Sequence, residues 1–591
     1  MAFSIGDGRS LIPLVTDIVQ VMRENKLFKS DGRTKPLRVR ILRNYSAEFI
    51  EPFLAYYFHK IGIGCQIEFG GFDTINQDAL DDKAFANCDL VVVAQVFEGL
   101  EPDADLKGFN VDDTLARVTG LAESIAARCS APIILNTFLR PVAAQGGPAL
   151  ALREGALDRS IAEMNQRLRL YVADRMPRCL LVDCERLLMQ VGADAAIDRR
   201  MRYLANAPFK HAYLSAYAHE ICRMARMLFV AGKKCLILDC DNTLWGGIVG
   251  EVGPQEIELD RNNYPGRAFY DFQKSVVRLA GQGVMIALCS KNNLEDVMAV
   301  LDEHPHCLLK REHLVGYRIN WQDKETNIQE LVEELNIGMD AVVFVDDNPA
   351  ECARIEAFLP ALTVRQVPKA LYDLPYLLDS EGLFDRLSVS KEDLKRTKLY
   401  QDETRRREVA AKFATVDEFL ASLDLRMEIK HANAPQVARI SQLTQKTNQF
   451  NLTTRRYSEA DIARLISDEN YAVFTLAASD RYGDMGLSGV LIAAREGERA
   501  RVDTLLMSCR ILGRKLENQF VASCLKYLSD AWRPRAWHAE YVESRKNRQV
   551  VGFWPSIGFA ECGKVDATTR YSGEQSSLKL ENVPFIRVEM S

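Results

Sequence analysis

The apolar run Leu236-Ile-Leu238 breaks without a spacer into two carboxylates, Asp239 and Asp241. An apolar run of this length flanked by helical patterns reads as a buried parallel strand, and open α/β sheets bind ligands at the carboxyl ends of such strands. In an extended segment residues i and i+2 point the same way, so both carboxylates face one crevice. They repel each other there unless a hard cation such as Mg2+ neutralises them. One can then attack a phosphoryl group while the other shuttles a proton to the leaving oxygen. Asn242 and Thr243 continue the turn, and Gly246 with Gly247 let the backbone bend back over the site.

Three further segments extend the pattern. Val284-Met-Ile-Ala-Leu-Cys289 ends in Ser290-Lys-Asn-Asn293, a strand tip whose hydroxyl can bond a phosphate oxygen. Asn320-Trp-Gln-Asp-Lys324 brings a cation suited to developing phosphoryl charge. Ala341-Val-Val-Phe-Val345 runs into Asp346-Asp347, and Asn348, Pro349 and Glu351 then supply N-cap, N1 and N3 signals for a helix. Between the runs, Phe269, Phe272, Val276 and Leu279 recur at helical spacing, as do Ile328, Leu331, Val332 and Leu335 before Gly338. Parallel strands need such crossovers.

Asp-x-Asp-x-Thr, Ser, Lys and Asp-Asp in this order resemble the motif set of the haloacid dehalogenase (HAD) superfamily of phosphoryl-transfer enzymes. Asp239-Cys-Asp-Asn-Thr-Leu-Trp-Gly-Gly247, Ser290-Lys-Asn-Asn293 and Ile319-Asn-Trp-Gln-Asp-Lys324 are similar, more narrowly, to its FkbH-like group (subfamily IIIC). The resemblance implies Asp239 as a nucleophile that becomes an aspartyl phosphate and Asp241 as general acid and base. It implies that Ser290 and Lys324 hold the phosphoryl group. It also implies Mg2+ bound by the Asp239 carboxylate, the Asp241 backbone carbonyl and Asp347, with Asp346 in support. Cys240 reads as a small core residue.

FkbH-like proteins are associated with loading a glyceryl group from 1,3-bisphosphoglycerate onto the phosphopantetheine thiol of an acyl carrier protein, with release of phosphate. That chemistry asks for an acyl acceptor. Cys289, beside Ser290, is the candidate for a transient thioester; its other reading is a buried strand cysteine. The alternative function is a Mg2+-dependent phosphatase of a small phosphorylated metabolite, its other domains recruiting a carrier or partner.

A chain of 591 residues is too long for one core and is expected to form several domains. Its formal charge of −6 offers no basic surface for nucleic acid. No apolar run approaches the roughly 20 residues that span a bilayer, so no membrane role is expected. The 14 cysteines include no Cys-x-x-Cys pair, which leaves little scope for zinc and fits a reducing, cytoplasmic location.

The expected fold class is multidomain α/β. Residues 1–230 are expected to form a doubly wound domain, 231–380 a HAD Rossmann-like parallel-sheet domain, 381–412 a charged helical linker that reads as a solvated connector opened by a capping signal at Ser390-Lys-Glu-Asp393, and 413–591 an α+β domain. In the first, Leu37–Leu42, Leu90–Ala94, Pro132–Leu135 and Cys179–Val182 read as parallel strands. Its place before an FkbH-like module resembles the SGNH-hydrolase-like domains of longer relatives. The Gly-Asp-Ser turn and the Asp-x-x-His pair of those hydrolases are absent, which leaves Ser46, Asn136 and His211 as a degenerate site or as unrelated residues.

In the last domain, Arg426–Ile429, Ala472–Leu476, Gly489–Ile492 and Val502–Met507 read as short strands that follow one another without helices. A turn with Gly513 then opens a helix, an arrangement that leaves amides free for a diphosphate, helped by Arg510, Arg514 and Lys515. The order resembles the GCN5-related N-acetyltransferase (GNAT) fold, in which Arg-x-x-Gly-x-small cradles coenzyme A. Coenzyme A or phosphopantetheine is therefore the expected cofactor. Lys515, standing where a small residue belongs, departs from the pattern. Lys446–Thr454 and Asp480–Gly486 read as polar loops lining a cleft.

Overall fold

The computed structural model describes residues 14–591 apart from 29–35, 143–148, 150–152, 154, 388, 390–397, 403–405, 407–408, 410–412, 414, 448, 509–510 and 545–546. The chain divides into two compact units, Met1–Lys233 with Tyr372–Ser388, and Lys234–Leu371 with Val389–Ser591. The architecture is multidomain α/β. Among the described residues no helix is long and apolar enough to cross a membrane.

The first unit is built on β1 (Leu37–Arg43), β2 (Cys65–Phe72), β3 (Leu90–Ala94), β4 (Ile133–Asn136) and β5 (Cys179–Val182), all parallel, in the order β2-β1-β3-β4-β5. The chain winds both ways from the β1/β3 boundary. Alternation along β3 shows how both faces are covered: Leu90, Val92 and Ala94 enter one core with the helices Glu51–Lys60 and His211–Phe229, and Val91 and Val93 enter another with Val111–Arg128 and Leu157–Arg175. Residues 372–388 belong to this unit, where Asp385 pairs with Arg223.

The second unit opens with β6 (Cys235–Leu238), β7 (Met285–Ser290), β8 (Leu314–Ile319), β9 (Val342–Asp346) and β10 (Thr363–Gln366), again all parallel, in the order β10-β9-β6-β7-β8. The helix Gly266–Gly281 buries Phe269, Phe272, Val276 and Leu279 on one stripe. Its Gln273 is also buried, with its amide satisfied: it donates to the Leu244 carbonyl at 2.9 Å and accepts from the Leu308 and Leu309 amides. That bond fastens the turn after β6 to the helix. The opposite face carries Cys235, Ile237, Cys289 and Phe344 against the helices Lys324–Glu334 and Pro349–Phe358.

A third, mixed sheet follows: β11 (Leu425–His431), β12 (Phe450–Asn451), β13 (Tyr471–Asp480), β14 (Gly483–Glu496), β15 (Arg499–Met507), β16 (Ala536–Val542), β17 (Ala560–Val565), β18 (Thr568–Glu574) and β19 (Ile586–Met590). Its order is β17-β18-β16-β15-β14-β13-β11-β19. β15 and β16 run parallel from Arg499/Ala536 to Val502/Ala539, after which β12 pairs with β15. Phe450 faces Met507 and Asn451 faces Leu506; the Leu452 amide then donates to the Leu505 carbonyl, and the Val542 amide donates to the Leu452 carbonyl at 2.7 Å. The expected polar loop is thus a buried inset between two strands. The expectation of strands without intervening helices is also corrected, since Val437–Lys446 and Glu459–Ser467 separate β11 from β13.

The charged segment 381–412 lies partly outside the described residues, including its expected capping signal at Ser390. What is described is not merely a solvated connector. Gln401 donates to the Glu312 and Leu314 carbonyls at 2.9 Å, and buried Arg406 donates through two nitrogens to Asp480.

Candidate active site

The acidic and hydroxyl groups of the expected phosphoryl site sit at carboxyl strand ends of the second unit's parallel sheet, and Lys324 opens the helix that follows β8. Asp239 directly follows β6 and its amide donates to the Val345 carbonyl of β9 at 3.0 Å, so the two acidic strand ends are locked side by side. Carboxylate oxygens of Asp239, Asp346 and Asp347 lie within 4.8 Å of one another. Lys324, the first residue of its helix and 4% exposed, reaches Asp239 Oδ2 at 3.0 Å and Asp346 Oδ2 at 2.5 Å.

Charge does not balance in this cluster. Three carboxylates facing one ammonium leave two negative charges, the amount a single divalent cation cancels. Asp239 Oδ1 is buried and has no hydrogen-bond partner. An orphaned oxygen in an oxygen-only donor set is what a hard cation such as Mg2+ fits, so the residues present suit that ion. Burial pushes the Asp239 carboxyl above the usual range, with Asp346 adding to the effect and Lys324 opposing it. Asp346 and Asp347 are raised for the same first reason. Burial works against the charge on Lys324, but Asp239 and Asp346 hold its ammonium above the ordinary lysine value.

Asp241 is held differently. Its Oδ1 accepts from the Trp245 indole at 2.9 Å and the Val249 amide at 3.1 Å, and its Oδ2 from the Asn292 side chain at 2.9 Å. Asn292 also donates to the Ser290 hydroxyl at 3.3 Å, linking two crevice groups. The turn that carries Asp241 needs Asn242 at φ +53°, with its side chain accepting from the Gly247 amide at 2.9 Å. Gly246 lies so close to Glu258 and Phe269 that a Cβ would meet their side chains at 2.5 and 3.0 Å. The sequence assigns no role to Asn292 or Trp245. Asn292 reaches Asp241 from 51 residues along the chain, a contact only the folded sheet makes, and the Trp245 indole reaches back four residues because the turn folds over the site.

Cys289 is not at the rim. Successive strand residues face opposite ways, so where Ser290 looks into the crevice, Cys289 points into the core under the helix Lys324–Glu334. It is fully buried, its thiol lies 3.8 Å from the Lys324 carbonyl, and burial pushes it up to about 12. The thioester expectation is corrected accordingly.

The expected diphosphate cradle is filled from within. Arg510 lies outside the described residues. The Gly513 amide donates to Glu517 Oε1 at 2.9 Å, so the chain's own carboxyl group occupies the turn. Arg514 is buried and turned toward Met485 and Asp480, and Lys515 pairs with Asp417 at 2.8 Å. Gly513, Arg514 and Lys515 are thus each met by groups of the chain itself. In the first unit, the Ser46 hydroxyl donates to the Ala205 carbonyl at 2.5 Å and exposed His211 packs against Phe53, so neither joins Asn136.

Residues 234–360 match the family model of NLI interacting factor-like phosphatases. They form a HAD-type phosphatase domain. Over 63% of its length the chain shares a fold with 99% of the crystallised N-terminal part of protein BF1531 from Bacteroides fragilis, described as containing a phosphatase domain complexed with Mg, at 21% identity and a TM-score of 0.57. Acetyltransferases are similar over about a quarter of the chain. The ribosomal-protein-S18-alanine N-acetyltransferase of Escherichia coli matches over 25% of this chain and 93% of its own, at 12% identity and a TM-score of 0.21. An aminoglycoside acetyltransferase in complex with coenzyme A matches over 26% and 96%, at 12% identity and a TM-score of 0.21. Comparison with curated proteins yields no match.

Proposed function

We propose that the chain is a Mg2+-dependent phosphoryl-transfer enzyme acting on a small phosphorylated metabolite at the Asp239 crevice. The observation that carries this reading is the buried, unpartnered Asp239 Oδ1 beside two further carboxylates and a single lysine. Mg2+ would be held by Asp239, Asp346 and Asp347, where it supplies charge neutralisation for the phosphoryl oxygens. One carboxylate oxygen of Asp239 attacks phosphorus, and the bond from phosphorus to the leaving oxygen breaks. Asp241, fixed by Trp245, Val249 and Asn292, gives that oxygen a proton. It then takes one from the water that hydrolyses the aspartyl phosphate. Ser290 and Lys324 bond the transferring oxygens, which is the positioning and charge stabilisation phosphoryl transfer requires.

The FkbH-like motif spacing supports a narrower reading. The substrate is an acyl phosphate such as 1,3-bisphosphoglycerate, and the glyceryl group ends on the phosphopantetheine thiol of an acyl carrier protein. With Cys289 in the core, the carrier thiol attacks the acyl carbon directly. The carbon–oxygen bond to phosphate breaks, and the thiol proton leaves with that phosphate. The remaining phosphate ester falls to Asp239. Two observations favour the plainer alternative, a phosphatase with recruiting domains: Glu517 fills the Gly513 turn, and the segment around Phe450–Leu452 fills the gap between β15 and β16.

Intact-protein mass spectrometry of a phosphopantetheinylated carrier, incubated with enzyme, Mg2+ and 1,3-bisphosphoglycerate, decides between them. A gain of one glyceryl unit supports loading. Phosphate release without carrier modification supports the phosphatase, and no phosphate release at all overturns both.

A further inference from the structure

The helix Arg199–Ala205 buries none of its residues and enters neither core of the first unit. It is too short to persist on its own, so its ends have to hold it. The Asp198 side chain caps it, accepting from the Met201 amide at 2.8 Å, and Asn206 closes it in the left-handed region at φ +47°. Beneath the caps the chain returns on itself: Ile197 bridges Phe209, and the Asp198 amide donates to the Pro208 carbonyl at 2.8 Å. The Ser46 amide donates to the Asn206 carbonyl at 2.8 Å and the Ser46 hydroxyl to the Ala205 carbonyl at 2.5 Å, so that serine anchors the helix.

The helical period decides what this element presents. Residues three and four apart share a face, so Tyr203 stands one turn from both Arg199 and Arg200, and Leu204 one turn from Arg200. Met201 and Arg202 turn the other way, Met201 half-buried and Arg202 pairing with Glu98 at 3.1 Å. On the outer face Tyr203 is 86% and Leu204 67% exposed. Arg199 and Arg200 are exposed as well, and neither forms a hydrogen bond or an ion pair with a described residue.

Exposed apolar side chains scattered singly need no explanation. Here a tyrosine, a leucine and two unpaired guanidinium groups share one face of an element that the core does not use, and tyrosine and arginine are residues on which protein interfaces depend most. Because both helix ends are already pinned, a partner would meet a pre-organised surface and little ordering entropy would be lost on docking. Two free cations fall short of the roughly four to eight that hold a basic segment to an anionic membrane. The chain's formal charge of −6 lends no support to nucleic acid either. A helix of this length, about 10 Å, suits the recess of a compact partner, and its cations call for carboxylates around that recess.

We propose that the outer face of Arg199–Ala205 docks an acidic protein, with Tyr203 and Leu204 seated in an apolar hollow and Arg199 and Arg200 pairing with carboxylates at its edge. In the loading reading above, on which this assignment rests, that protein is the acyl carrier.

Calorimetric titration of the full chain with a phosphopantetheinylated acyl carrier protein of net negative charge is the test. Binding should be micromolar, since a patch of this size makes a small interface, and should weaken at least about tenfold between roughly 0.03 and 0.3 M salt. The double substitution Arg199→Glu with Arg200→Glu should weaken it at least about tenfold through like-charge repulsion, and Tyr203→Ala by about tenfold. None of these side chains supports the core, so the melting temperatures should match that of the wild type. Binding is read without turnover, so the docking face stands or falls apart from the chemistry at Asp239. Absence of carrier binding at micromolar concentrations overturns the proposal, as does an affinity that neither variant moves. A carrier that gains its glyceryl unit at an unchanged rate in both variants overturns docking here and leaves loading intact. Displacement of the carrier by phosphatidylglycerol vesicles, or a wild-type dimer that the double substitution dissociates, also overturns it by assigning the face to a lipid surface or to a second copy of the chain.

Discussion

The crevice around Asp239 and the turn at Gly513 both read in the sequence as places where charge gathers at the end of a strand. In the folded chain they part company. At Asp239 three carboxylates share one lysine and a buried oxygen stays unpartnered, so the protein leaves charge for something else to neutralise. At Gly513 the amide is answered by Glu517, Arg514 by Asp480 and Lys515 by Asp417. What separates the two is charge left over: three carboxylates against one lysine at Asp239, and cations already matched at Gly513, where the unmet atom is the buried second oxygen of Glu517.

Substitutions can break that contrast. The largest effect is expected from Asp239→Asn, which keeps shape and burial but removes the nucleophile. Steady-state phosphate release should fall by on the order of 10^4-fold or more, as loss of a nucleophile does elsewhere. Retention of turnover would remove Asp239 from the reaction. Lys324→Ala should cost about 3 to 4 kcal/mol of transition-state stabilisation, read as a fall in kcat/KM, in line with loss of one charge-stabilising donor. Added Mg2+ should not restore it, because the lysine and the divalent ion answer different charges. Full recovery at high Mg2+ would mean that Lys324 is only a counter-ion.

Much of this was legible in the chain. The strands that end at Asp239, Ser290 and Asp346 are continuous apolar runs, since both faces of a parallel sheet are covered. β2 and β10 escaped notice because they are edge strands with alternating burial: Cys65–Phe72 carries Gln66 and Glu68 outward, and Thr363–Gln366 buries only Val364. The segment after Thr447 misled for the opposite reason. Asn451 and Thr453 look like loop residues, yet they are buried with their side chains satisfied by the Thr454 amide and the Thr504 hydroxyl. Polarity implies exposure only where no partner awaits inside. Cys289 failed on parity: one residue along a strand changes the face, and proximity in sequence to Ser290 placed the thiol on the wrong side of the sheet.

The contrast sharpens further at the Gly513 turn. Arg514→Ala should lower the stability of the full chain by about 2 kcal/mol in urea unfolding, the scale for losing hydrogen bonds to a charged group, and leave coenzyme A affinity unmoved. A change in coenzyme A affinity alone would return Arg514 to the role of a diphosphate ligand.

The smallest effect tests how Glu517 fills the turn. Burial raises its carboxyl above the usual value, against the Gly513 amide and Arg514, and its second oxygen is buried without a partner. A group raised in the folded state binds its proton more tightly there than in the unfolded chain. Its favourable contribution is present at low pH and declines once the pH passes the ordinary carboxyl value of about 4.5. Glu517→Gln keeps a neutral acceptor for the Gly513 amide and does not titrate. Its melting temperature should therefore match the wild type near pH 4 and exceed it increasingly toward pH 7, by calorimetry on both proteins across that range. If the wild type instead gains on the variant as pH rises, Glu517 is held as an anion by the amide and Arg514. The turn would then be an anion site carrying its own anion, and coenzyme A binding should appear in Glu517→Gln and be absent from the wild type.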